Sequence, residues 1–145
     1  MSLLLWMLLA FAGWTLLVLL AGVGVQRWLL IFAGRAALTS FPGDTPHGSE
    51  AYRRATRAHA NCVENLPVFG AIVLTAAVAD LTPPHMDALA VATMAGRIAQ
   101  TSIHMLLPET NATIAVRFSF FLLQVLAMIA MGGLVVMAAA GGKIE

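Results

Sequence analysis

Four polar side chains recur at helical spacing in the second quarter of the chain: Arg53, Arg57, Asn61 and Glu64. At 100° per residue they fall within an arc of about 80° on one helix face. A polar ligand entering among these helices would satisfy such a stripe. A second set, Arg97, Gln100, Thr101 and His104, shares one face of a later helix, and Arg117, Phe121 and Gln124 share a stripe on the last. The bland reading is a buried Arg97–Glu64 pair that only holds helices together, but polar stripes on several helices are more than one ion pair requires.

The stripe on the second helix runs straight into apolar sequence. The uncharged stretch Asn65 to Ala79 is 15 residues, about 22 Å of helix. A hydrocarbon core needs roughly 20 residues. The span therefore reaches back to Ala60 and carries Asn61 and Glu64 below the membrane surface. An ionisable group at that depth costs on the order of 2.5 kcal/mol or more unless partnered, which marks it as functional by default. Glu64 and Arg97 lie at depths that differ by roughly 9 Å when counted from Asp80 and Asp87, so a buried Glu64–Arg97 pair is expected.

Composition fixes the class. The chain has 145 residues, 60% of them hydrophobic and 10% charged, with a mean hydropathy of +0.87. A soluble domain of this size cannot hide so much apolar surface. A formal net charge of +1 with no basic-aromatic clustering excludes nucleic acid. The single cysteine, Cys62, allows no internal disulfide and reads as a packing residue. No second histidine stands at a spacing that would complete a metal site with His104, so no metal is expected. His59 lies roughly opposite Glu64 and faces a neighbouring subunit or lipid headgroups.

The elements that must position these residues are four transmembrane helices in an all-α bundle, a single domain with spans near 3–26, 60–80, 87–107 and 112–140. The first span, Leu3 to Gln26, has no charge, no basic leader and no small-residue cleavage site, so it is retained rather than cleaved. Phe41 to Gly48 is dense in turn residues and forms the main loop, near 40–48. Ser49 is a suitable N-cap for the second helix, with Glu50 favourable in its first turn. Pro67 removes one backbone bond and should bend that helix near Val63–Glu64. Ala88, Ala92 and Gly96 form a small-residue row suited to close helix packing in lipid. Pro108 to Asn111 ends the third helix and caps the fourth. Arg27, Arg35, Arg53, Arg54 and Arg57 surround the first loop and Arg117 lies by the third, while the second loop has Asp80 and Asp87 and no basic residue. The positive-inside rule then puts the first and third loops in the cytoplasm and both termini outside, as in a bacterial-type inner membrane, with Lys143 a weak dissent.

The run Arg57-Ala58-His59-Ala60-Asn61-Cys62-Val63-Glu64, followed by Pro67, resembles the second-helix signature of the MAPEG family, the membrane-associated proteins of eicosanoid and glutathione metabolism. Gly96-Arg97 and Arg117 extend the resemblance across nearly the whole chain. It implies a homotrimer that binds glutathione as co-substrate between subunits, near the cytoplasmic face. Arg57, Asn61 and Glu64 would hold the glutathione backbone, with Glu64 facing its amino group, and Arg53, Arg97, Gln100 and His104 would complete the binding set. Arg117 would be catalytic, stabilising the thiolate. Eicosanoid-type members carry tyrosines where this chain has Asn65, Gln100 and His104. The implied activity is a transferase or peroxidase acting on a lipophilic small molecule from the bilayer. The alternative is a non-catalytic binding or structural trimer of the same fold.

Overall fold

The computed structural model describes residues 1–42, 47–81 and 83–141, and within them the chain forms four helical rods. The first rod runs unbroken from Leu3 to Phe32. It comprises α1 (Leu3–Leu17), a π-helical stretch over Val18–Gly24, and α2 (Val25–Phe32). A 3-10 turn at Leu38–Ser40 follows, then α3 (Glu50–Val78), α4 (Met86–Leu106) and α5 (Asn111–Gly141). The turn-rich segment 43–46, Thr82 and Lys143 lie outside the described residues.

Local chemistry explains the boundaries. The Ser49 hydroxyl accepts the backbone N–H of Tyr52 at 3.2 Å, the expected cap of α3. The first turn of α5 is closed by Thr110 and Thr113: the Thr113 N–H donates to Thr110 Oγ1 at 3.2 Å, and Thr113 Oγ1 donates to the Pro108 carbonyl at 2.7 Å. α3 passes through Pro67 as one helix. The carbonyl that loses its donor belongs to Val63, and both Val63 and Pro67 are on the exposed side.

Three rods are long and apolar enough to cross a membrane: Leu3–Phe32, Glu50–Val78 and Asn111–Gly141. Their outer faces carry bulky apolar side chains, among them Trp6, Leu9, Leu20, Leu126, Ile129 and Val136. A hydrocarbon surrounding accounts for that surface, whereas water does not. α4 has the length to span, about 31 Å, but Arg97, Gln100, Thr101 and His104 lower its hydropathy. All four of those residues point inward and are buried, while Val91 and Ile98 face outward.

The rods alternate in direction. Leu4, Ala76, Met86 and Val135 join the core at one end, which begins with the N-terminus. At the opposite end Val23, Tyr52 and Ala55 form a smaller cluster with Leu19 and Met105 packed on it. Between them Phe11 and Phe69 meet with ring centroids 5.6 Å apart, both fully buried. Hydrophobic burial does not drive helices together in lipid, so close packing carries more of the load. Two glycines show where. A Cβ on Gly22, in the π stretch, would sit 3.1 Å from Ala55 Cβ and 2.9 Å from Met105 Cε. A Cβ on Gly96 would sit 2.9 Å from Gln124 Cγ and 3.4 Å from the Phe120 carbonyl oxygen. Of the expected small-residue row, Gly96 alone is buried against α5, and Ala88 is exposed.

Candidate functional site

The polar stripe of α3 lies on the exposed side of the helix. Arg53, Arg57 and Glu64 are exposed and Asn61 is half-buried. The buried stripe of the same helix is Tyr52, Ala55, Ala58, Cys62, Phe69, Gly70, Val73 and Ala76. Glu64 is two residues beyond Cys62 and so about 200° around the helix from it. Asn65 is turned back along its own helix, its side-chain amide donating to the Asn61 carbonyl at 2.8 Å.

The expected Glu64–Arg97 ion pair is not formed. Among the described residues no carboxylate lies within ion-pair distance of Arg97, whose side chain is fully buried. Its Nη1 donates instead to Gln100 Oε1 at 3.0 Å, and its guanidinium carbon lies 5.2 Å from the centroid of the Phe11 ring. Gln124 Nε2 donates to the same Gln100 oxygen at 3.1 Å and to the Phe120 carbonyl at 2.8 Å. Cys62 Sγ is 3.6 Å from Thr101 Oγ1. Arg97 and Gln100 thus belong to a network inside the bundle that links α4 to α5. Matching depth failed to predict a contact because depth leaves the azimuth open, and α3 turns Glu64 outward.

A different set meets at the end of the bundle where α3 begins and α4 ends. Glu109, in the connector between α4 and α5, offers its Oε1 to three partners. Arg57 Nη1 is 3.5 Å away, Arg117 Nη1 3.7 Å and His104 Nε2 4.0 Å. Three helices contribute: α3 brings Arg57, α4 brings His104 and α5 brings Arg117. His104 is buried, Arg117 is 23% exposed and Arg57 59%. Neither ring nitrogen of His104 has a hydrogen-bond partner within the described residues. Nearby, Arg54 is held to Glu50 at 2.8 Å. Two guanidiniums around one carboxylate leave positive charge in excess, so the end of the bundle attracts anions.

A family model described as MAPEG matches residues 3–137. The chain belongs to the MAPEG family. No curated protein and no solved structure matches it. In this MAPEG protein the residues singled out in the sequence therefore divide. Arg57, His104 and Arg117 come together, Asn61 and Glu64 continue up the exposed side of α3 from Arg57, Arg53 stands exposed one turn before it, and Arg97 and Gln100 are enclosed.

Glu109 was missed as a partner because the sequence reads it as part of a helix cap, a task that falls to Thr110 and Thr113. A signal existed. α5 must begin at the arginine-rich end, and Glu109 is a carboxylate there without a basic residue one helical turn away on its own element.

Proposed function

We propose that this protein is a glutathione-dependent membrane transferase or peroxidase acting on lipophilic electrophiles. The observation that supports this best is the convergence of Arg57 and Arg117 at the mouth of a polar α3 face that also carries Asn61 and Glu64. Glutathione has two carboxylates and one ammonium. The guanidiniums match the first, and the Glu64 carboxylate the second. A guanidinium beside a thiol in a low-dielectric site favours the thiolate, the reactive form, and Arg117 is assigned that role. Arg53 and His104 extend the polar lining, while Arg97 and Gln100 hold α4 against α5 behind it. An outward-facing stripe is what a site shared between neighbouring copies leaves open on a single subunit, in keeping with a homotrimer. The arginine-rich end is assigned to the cytoplasm by the positive-inside rule.

The test is a glutathione titration of the detergent-solubilised protein, with thiolate absorbance followed in parallel. Arg57→Lys should weaken binding although it keeps the charge, because the planar fork is lost. Arg117→Ala should reduce the thiolate signal and turnover more than binding. No binding in the wild type would reject the proposal, and binding without a thiolate signal would leave a ligand site but no enzyme. The second reading is a non-catalytic trimer, favoured by the Arg97–Gln100–Gln124 network, whose hydrogen bonds run between helices of one chain.

A further inference from the structure

We infer that Glu109 is an internal stand-in for the anionic groups of a ligand, occupying Arg57, the proposed carboxylate partner, and Arg117, the proposed thiolate partner, until such a ligand displaces it; this rests on the site proposed above. Among the described residues its three charged neighbours converge on a single oxygen, at 3.5, 3.7 and 4.0 Å. Strong charge-assisted pairs are shorter, about 2.7–2.9 Å, and use both carboxylate oxygens on a guanidinium fork. Glu109 therefore neutralises the arginines without engaging them fully, and a ligand carboxylate that approaches bidentately makes the better bond. Its own position permits withdrawal. It lies outside both helices, next to Pro108, and is partly exposed. The start of α5 is secured by Thr110 and Thr113 without it. Exchange of the Glu109 carboxylate for the ligand's own anionic groups keeps both arginines compensated, so entry of the ligand never leaves two guanidiniums facing each other uncompensated.

This carboxylate sets selectivity as well as occupancy. A neutral ligand cannot compensate the arginines once Glu109 leaves, so displacement favours acids over amides.

The experiment compares wild type with Glu109→Gln and Glu109→Asp, each in detergent and checked for fold by circular dichroism. Probes are glutathione and its glycine-amide analogue. Glu109→Gln should bind glutathione about three- to tenfold more tightly than wild type, the scale of one or two exposed ion-pair contacts. Binding of the amide should change less. Glu109→Asp retracts the carboxylate by one methylene, so it should also tighten glutathione binding. An Asp variant identical to wild type would show that bulk charge alone acts, and would overturn the inference. Unchanged or weaker binding by Glu109→Gln would overturn it too, while leaving the glutathione site standing. If no variant binds glutathione, the functional proposal fails, and the stand-in role is decided without ligand by phenylglyoxal modification. Arg57 and Arg117, identified by peptide mass spectrometry, should then react several-fold faster in Glu109→Gln than in wild type. Equal rates would reject the stand-in.

Discussion

At the scale of single residues, the buried arginine is the sharpest case. Arg97 sits within the bundle with one strong acceptor, Gln100, and an aromatic face, Phe11, while its Nε and Nη2 find no partner among the described residues. Removing Gln100 takes away the acceptor of Nη1, and hydrogen bonds to charged groups are worth about 1.5–3 kcal/mol. Gln100→Leu should therefore lower thermal stability in detergent by an amount in that range, and Gln124, which shares the same acceptor, makes the loss larger. Glu64→Gln should change stability by no more than about 0.5 kcal/mol, as for surface substitutions, provided the protein is measured as dissociated subunits. Equal losses in the two variants would restore the Glu64–Arg97 pair as the correct account.

At the scale of elements, the contacts that fix helix positions are glycines rather than large apolar residues. Gly96 lets α4 approach α5 until the Gln124 side chain and the Phe120 carbonyl touch it. Gly96→Leu must push the helices apart or displace Gln124, at a cost of about 1–3 kcal/mol for overpacking. Gly133, on α5, has nothing within 4 Å of its missing Cβ and is exposed. Gly133→Ala should instead be neutral or raise stability by roughly 0.5–1 kcal/mol through helix propensity. Differential scanning of both variants checks the pair, and destabilisation by Gly133→Ala would show that this face is covered in the assembly. Ser49→Ala should cost about 1 kcal/mol and fray the start of α3, since it removes the capping acceptor of Tyr52. Hydrogen exchange at residues 50–53 reads that effect directly. Such fraying would also loosen Tyr52, to which Arg27 Nε donates from the end of the first rod.

At the scale of the whole molecule, the exposed apolar girth belongs to a membrane protein, and the outward polar stripe is the face that the proposed trimer would share between copies. The proposed orientation puts Arg35, just beyond α2, in the cytoplasm. In a Cys62→Ala background, Arg35→Cys should react with an impermeant maleimide only from the cytoplasmic side. A cysteine at Leu81 should react only from the opposite side, because α3 crosses between them. Reversed labelling would invert the assignment. Cross-linking in native membranes should give a ladder that stops at three, and a ladder ending at two would remove the trimer.

Much of this protein was legible in local sequence. Helical periodicity and apolar run length gave the rods, Ser49 gave the start of α3, and the spacing of Arg53, Arg57, Asn61 and Glu64 put them on one face. These follow from interactions within a few residues, which a sequence states directly. What the sequence could not state was which face of each helix meets which neighbour. That rotation depends on close contacts such as Gly22 against Ala55 and Gly96 against Gln124, formed by residues far apart in the chain. The π stretch at Val18–Gly24 also changes the phase of the first rod, with no clear mark in its composition. Tertiary packing alone therefore turned Glu64 outward, gave Arg97 an amide instead of a carboxylate, and carried Glu109 to the arginines of two other elements. Depth along the membrane normal is a one-dimensional quantity that chain counting supplies. Azimuth is decided only when the helices pack.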